Sequence, residues 1–271
     1  MTIIDHLPIR FLADPPGLPP LLMMHGFLSS RNHWLPNLPA LRGSRRIVLA
    51  ELPGHGETRG CTDPSALHPD ALADTLDEGR RALGIKSWSI CGQSFGASIT
   101  LRHALRHPGS VNAQIWTNGN RVVARPWSEE DLAANAARRA RLATEGREAL
   151  ARERFHPRFA RRFPAAIREI LSRDADNCDI DTLVALMDHT TPNLSLRDRF
   201  AETRVPTLLV NGRLERPFQV HRDFAAAALP SMEVVDLEGG HSINIEQPEA
   251  FDAAVLDFLA RIEPASPDRR S

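Results

Sequence analysis

Residues 88–105 constrain this chain more than any other stretch. Trp88-Ser89-Ile90-Cys91 is an apolar run of strand length, Gly92-Gln93-Ser94-Phe95-Gly96 follows it without a spacer, and residues 97–105 read as a helix. A strand that passes directly into a helix must turn within a few residues, so the backbone closes on itself on either side of Ser94. Glycine at both flanking positions removes the Cβ that would clash there. Such a turn is a nucleophile elbow. It presents Ser94 at the end of a strand and in front of a helix N-terminus, where the Phe95 N–H and the helix dipole face any negative charge that forms beside the hydroxyl. On its own the pentapeptide also fits an ordinary glycine-rich turn, and the rest of the chain has to decide.

Residues 9–13 read as a short strand ended by Pro15-Pro16-Gly17. Leu21-Leu22-Met23-Met24 is a second one and stops at His25-Gly26-Phe27. A glycine just past a buried strand lets the backbone approach a ligand closely. The Phe27 N–H is therefore a candidate partner to that of Phe95 in an oxyanion hole; a plain turn is the other reading. Ile47-Val48-Leu49-Ala50 is the next strand. Residues 70–83 carry Leu72, Leu76 and Leu83 at helical spacing, and Gly84 ends that helix. Gln114-Ile115-Trp116-Thr117 is a strand beyond the elbow helix. Alternating strands and helices imply a parallel sheet with helices on both faces, whose ligands bind beyond the carboxyl ends of the strands.

The pattern changes over residues 121–203. A long alanine- and arginine-rich helix is expected from Ser128 to near Phe155, broken by His156-Pro157, with shorter helices over 164–171 and 181–187. With no strand in the run, it reads as a helical cap interrupting a core built from residues 1–120 and 204–271. Between Arg121 and Arg173 there are 13 arginines against 7 acidic residues. That excess fits a solvated face in an arginine-biased chain, or a lid that binds a carboxylate or phosphate on the substrate. The strands resume at Thr207-Leu208-Leu209-Val210 and Met232 to Leu237. Residues 248–262 form a closing amphipathic helix with Phe251, Val255, Phe258, Leu259 and Ile262 on one face; residues 264–271 read as a frayed tail.

At 271 residues the chain suffices for one sizeable α/β domain with an insertion. A net charge of −1 argues against nucleic-acid or membrane-surface partners. No apolar run approaches the ~18 residues of a membrane span, and the first residues lack the basic and apolar regions of a secretion signal. Cys61, Cys91 and Cys178 are too far apart for a disulfide framework or a metal knuckle, and a cytoplasmic location is expected. Cys91 reads as a small core residue.

Ser94, Glu215 and His241 follow predicted buried strands, in the order nucleophile, acid, histidine. A parallel sheet brings such positions to one edge. A serine hydroxyl needs an imidazole to take its proton, the imidazole needs a carboxylate to fix its tautomer, and the oxyanion needs backbone N–H donors. Asp236 is a rival acid, only five residues before His241. His55, in Leu52-Pro53-Gly54-His55-Gly56, has no acid to pair with and reads as a structural loop histidine.

With the elbow, that loop, His25-Gly26-Phe27 followed by Trp34, Asn211-Gly212-x-x-Glu215, and Gly240-His241 before Gln247-Pro248-Glu249, the chain resembles the α/β-hydrolase family from about Leu21 to Ile262. The resemblance implies a mostly parallel eight-stranded sheet with a cap inserted after the sixth strand, Ser94 as nucleophile, His241 as base and Glu215 as acid. It departs from the family in three places. Glu215 stands where aspartate is commoner, Glu51 replaces the usual aspartate after the fourth strand, and the short N-terminus leaves the first antiparallel strand reduced or missing. A serine at the elbow excludes the haloalkane dehalogenases and epoxide hydrolases of this fold, which use aspartate. The loop around Glu215 is similar to that of some acyl-homoserine lactonases. The expected activity is hydrolysis of a small ester, lactone or thioester without cofactor or metal. The alternatives are a lyase, cyclase or acyltransferase of the same fold, or a ligand receptor. Oligomeric state is left open.

Overall fold

Described over residues 1–263, the computed structural model contains one eight-stranded sheet. Its strands are β1 (Thr2–Ile4), β2 (Arg10–Ala13), β3 (Pro20–Met24), β4 (Arg46–Glu51), β5 (Trp88–Gly92), β6 (Val111–Trp116), β7 (Thr207–Gly212) and β8 (Glu233–Leu237). Their order is β1-β2-β4-β3-β5-β6-β7-β8. β1 and β2 pair antiparallel, as do β2 and β4, and every later pairing is parallel. The principal helices are α1 (Pro69–Ala82) and α2 (Phe95–Arg106) in the first half. Between β6 and β7 come α3 (Glu129–Glu145), α4 (Arg147–Ala151), α5 (Ala165–Asp176) and α6 (Ile180–Ala185), and α7 (Arg216–Ala228) and α8 (Pro248–Ile262) close the chain. Among the described residues no helix is long and apolar enough to cross a membrane.

Successive strand residues bury on opposite faces, which is why the central strands read as unbroken apolar runs. Leu22, Met24, Val48, Ala50 and Ile90 pack with Leu72 and Leu76 of α1 and Ile99 of α2. Leu21, Met23, Ile47, Leu49 and Cys91 pack on the other face with Phe251, Val255, Phe258 and Leu259 of α8. Cys91 is thus a core residue, and burial pushes its thiol pKa well up. Glu51 is fully buried at the end of β4, where its carboxylate meets Arg10 at 3.3 Å and Arg31 at 3.0 Å.

The first antiparallel strand is reduced, not missing: three residues of β1 pair with β2 from Thr2↔Ala13 to Ile4↔Phe11. β8 is not a buried strand. It forms the sheet edge, and each of its residues is exposed or half-buried. The long helix expected to reach Phe155 ends at Glu145, because Gly146 adopts φ +56° and redirects the chain into α4. The bend lets Leu142, Ala149 and Leu150 face inward together, against Leu28, Ala175, Leu183 and Met187. α5 runs on to Asp176, and α6 is shorter than expected, continuing as a single π turn over Leu186–Thr190. The frayed tail expected over residues 264–271 lies outside the described residues.

The helices between β6 and β7 sit over the carboxyl end of the sheet. Ser30 Oγ and Asn32 Nδ2 donate to Asp174 at 2.5 and 2.8 Å, the Asp179 N–H donates to the Gly54 carbonyl at 2.9 Å, and the Cys61 N–H donates to Thr182 Oγ1 at 2.8 Å.

Candidate active site

Ser94 links β5 to α2 with φ 53° and ψ −113°, a conformation an L-residue holds only when its surroundings enforce it. They do so here by close approach. A Cβ on Gly92 would lie 2.6 Å from Ala97 Cα, and one on Gly96 would lie 2.6 Å from the Met24 carbonyl oxygen on the neighbouring strand. Gly96→Ala is expected to destabilise the fold by about 1–3 kcal/mol, since the atoms it would meet are backbone of Met24 and His25 and cannot swing aside as a side chain could. An unchanged denaturation midpoint would show that the elbow tolerates a side chain.

Ser94, His241 and Glu215 come together at the ends of β5, β8 and β7. His241 Nε2 lies 2.9 Å from Ser94 Oγ, and Nδ1 lies 3.0 Å from each carboxylate oxygen of Glu215. A donor at Nδ1 leaves Nε2 free to accept the serine proton. Asp236 takes no part in this contact. It accepts hydrogen bonds from Asn211 Nδ2 at 2.7 Å and Arg222 at 2.8 Å on β8. The loops carrying the acid and the histidine touch through Gly212, where any Cβ would overlap the Gly240 carbonyl.

Two asparagines that the sequence reading missed complete the acid's surroundings. Asn118 Nδ2 donates to Glu215 Oε2 at 2.9 Å and Asn120 Nδ2 to Oε1 at 2.7 Å. Asn118 also accepts from the Gly212 N–H at 2.7 Å, which ties the acid loop to β6. The one available signal was position: both follow the carboxyl end of β6, between the strands that carry the serine and the acid.

Burial alone would raise the Glu215 pKa. The hydrogen bond from His241, its charge and the two amides outweigh burial and hold the carboxylate below its ordinary value. Burial likewise works against protonated His241, but the hydrogen bond and charge of Glu215, with Glu246 behind, raise its pKa above the ordinary 6.5. The 41% of the His241 side chain left exposed belongs to a residue lining the cavity under α3–α6.

The residue that precedes Phe27 stands beside Ser94: a Cβ on Gly26 would lie 3.0 Å from Ser94 Cβ. Neither the Phe27 nor the Phe95 N–H has a hydrogen-bond partner among the described residues. The turn that presents Phe27 is held by two buried histidines. His55 Nδ1–H donates to the Pro53 carbonyl at 2.8 Å, and Nε2 accepts the Leu28 N–H at 3.2 Å, with Leu28 at φ 55°. His25 does the reciprocal, Nδ1–H donating to the Gly26 carbonyl at 2.7 Å and Nε2 accepting the Leu52 N–H at 3.2 Å. Burial brings their pKa values down to about 3 and about 4, so both are neutral and structural.

Above Ser94 is a cavity of about 780 Å³, lined from the sheet side by Phe27, Ser94 and His241 and from the helical side by residues including Trp127, Phe159 and Met187. This volume suits a small organic molecule.

A doubly covered parallel sheet with a strained serine turn and a serine–histidine–carboxylate chain at its carboxyl edge defines the α/β-hydrolase class. The chain belongs to the alpha/beta hydrolase family, whose model matches residues 21–254. It is similar to a protein of Escherichia coli O6:H1 named carbamate hydrolase RutD, with 27% identity over 93% of this chain and 92% of the relative. Among solved structures it is similar to the enol-lactonase of Burkholderia xenovorans LB400, with a TM-score of 0.80 and 21% identity over 93% of this chain and 96% of the other. A thermophilic esterase of Thermogutta terrifontis superposes with a TM-score of 0.77 and 21% identity over 94% of each chain.

Proposed function

We propose that the protein is a serine hydrolase that cleaves a small carboxylic ester or lactone through Ser94, His241 and Glu215. The observation that carries this reading is the unbroken chain from Ser94 Oγ through both His241 nitrogens to Glu215, at 2.9 and 3.0 Å. Relatives named for lactone, ester and carbamate hydrolysis support acyl chemistry with a small-molecule substrate.

In this reading Ser94 Oγ attacks the carbonyl carbon while His241 Nε2 takes its proton. Glu215 holds the Nδ1–H tautomer and stabilises the imidazolium. The Phe27 and Phe95 N–H groups receive the oxyanion, and the N-terminus of α2 adds its dipole. The imidazolium then protonates the leaving alkoxide, which departs and leaves an acyl-Ser94 ester. Water, deprotonated by His241, attacks that ester, and collapse releases the acid and restores the serine. Residues 121–203 act as the cap that shapes the substrate cavity.

The test is labelling with a small fluorophosphonate, read by intact mass and peptide mapping. One adduct on Ser94 is expected, and no adduct would count against an activated serine. The reading also fixes a pH profile. His241 acts as base only when neutral, and its pKa is raised, so kcat/KM should fall with decreasing pH through a midpoint above 6.5. A midpoint at or below that value would mean that Glu215 does not stabilise the imidazolium.

A further inference from the structure

The cavity wall is positively charged. Arg121, Arg138, Arg154, Arg161 and Arg162 line it, against Glu215 and Glu246. Glu215 is already engaged by His241, and Glu246 accepts the Gly240 N–H at 2.7 Å with Arg162 at 3.8 Å. Arg138 is paired with Glu153 at 2.9 Å. Arg121, Arg154 and Arg161 have no ion-pair partner among the described residues. Arg154 and Arg161 are exposed, whereas Arg121 is half-buried.

Arg121 is the inner one. It directly follows Asn120, whose amide lies 2.7 Å from Glu215, so its backbone stands beside the acid. Its guanidinium stacks on the Trp127 ring, 4.4 Å from the centroid. Arg121 Nε and Trp127 Nε1 are both buried from solvent without a hydrogen-bond partner. A buried donor with no acceptor is a cost to the fold. These two atoms are closed off from the cavity as well as from solvent; the Arg121 Nη groups are not among the buried atoms and have no hydrogen-bond or ion-pair partner among the described residues, so they are the donors that an acceptor in the cavity can reach. Burial lowers the Arg121 pKa and the charge of Asp131 only partly opposes it, the sign expected of a cation lacking a close counter-ion.

We propose that Arg121, backed by the Trp127 indole, is the specificity-determining residue of this cavity, and that the substrate bears a carboxylate remote from its scissile carbonyl. A planar carboxylate matches the guanidinium edge and accepts two donors at once. A monoanion is favoured over a phosphate dianion because Glu215 and Glu246 face the same space. Arg154 and Arg161 at the exposed rim draw the anion inward. The stretch whose arginine excess fitted either a solvated face or an anion-binding lid thus divides between the two, with most of its arginines outward or paired and Arg121 inward.

The choice of probe rests on the serine hydrolase reading, so the experiment has two arms. The first compares 4-nitrophenyl hemiadipate with 4-nitrophenyl hexanoate, acyl chains of equal carbon number that end in carboxylate or methyl. Wild type should favour the hemiadipate at least tenfold in kcat/KM. Arg121→Gln should reduce that ratio at least tenfold, chiefly through KM, and Arg121→Lys should restore part of it. The ratio cancels any loss common to both esters. Equal use of the two esters, unaltered in Arg121→Gln, overturns the proposal and leaves the hydrolase reading intact. The second arm titrates monomethyl adipate calorimetrically into Ser94→Ala and into Ser94→Ala with Arg121→Gln. Binding at least tenfold tighter to the single variant supports the anion site even where neither ester is turned over, an outcome that instead defeats the hydrolase reading. Equal affinities overturn the anion site.

Discussion

Ser94→Ala is expected to lower kcat for an activated aryl ester by a factor on the order of 10⁴ to 10⁶, the loss that follows removal of a triad nucleophile. The reason is specific to the geometry. Among the described residues the one hydroxyl hydrogen-bonded to His241 Nε2 is that of Ser94, 2.9 Å away, and without it the imidazole has only water to activate. What remains, in the proposed mechanism, is binding in the cavity and the Phe27 and Phe95 N–H groups as the proposed oxyanion donors. KM should therefore change far less than kcat. The fluorophosphonate adduct should vanish with the hydroxyl. Hydrolysis in ¹⁸O-enriched water should place one solvent oxygen in the acid product of the wild-type protein; a product without it would point to a lyase or a transfer to another acceptor. Wild-type turnover by Ser94→Ala would remove the serine from the mechanism.

The parts of this site that the sequence made legible are those set by local chain geometry. Gly92 and Gly96 are needed because backbone approaches within a few ångströms of where a Cβ would stand, and that requirement is written at fixed spacing around Ser94. Glu215 and His241 each follow a strand whose apolar run can be read directly. The sheet was legible for the same reason, since Leu21 to Met24 alternate between two covered faces. What stayed hidden depends on contacts distant in sequence. Asn118 and Asn120 are ordinary loop polars until β6 lies beside β7, 95 residues or more along the chain from their acceptor. The turn at Gly146 lies between two stretches of strong helix formers; glycine permits the positive φ, and the inward clustering of Leu142 with Leu150 makes use of it. β8 is apolar enough to read as buried, yet its place at the edge is a property of strand order. The place of Arg121 was equally hidden, because thirteen arginines in one stretch carry no mark of which of them line the cavity.

Glu215→Gln is expected to lower kcat by about 10³ to 10⁴, whereas Asp236→Asn should stay within about twofold, as for a surface substitution. Glutamine preserves the shape of the side chain, but Glu215 accepts from three donors at once, namely Asn118, Asn120 and His241 Nδ1. An amide offers one oxygen and one NH₂, so one of those donors must face another donor. Asn118 is fixed by two bonds to the backbone of Gly212, which leaves Asn120 or the imidazole to yield. Where the imidazole yields, Nδ1 becomes the acceptor and the proton moves to Nε2, which then cannot take the proton of Ser94. The same substitution removes the charge that raises the His241 pKa, so the acid limb of the pH profile should move to lower pH even as its plateau falls. A merely structural role for Glu215 would lower the plateau without that displacement. Asp236 has no such leverage: its carboxylate is 42% exposed and bound to Asn211 and Arg222. Should Asp236→Asn prove the more damaging change, the acid would have to be reassigned to β8, and the 3.0 Å contact between Glu215 and His241 would be structural.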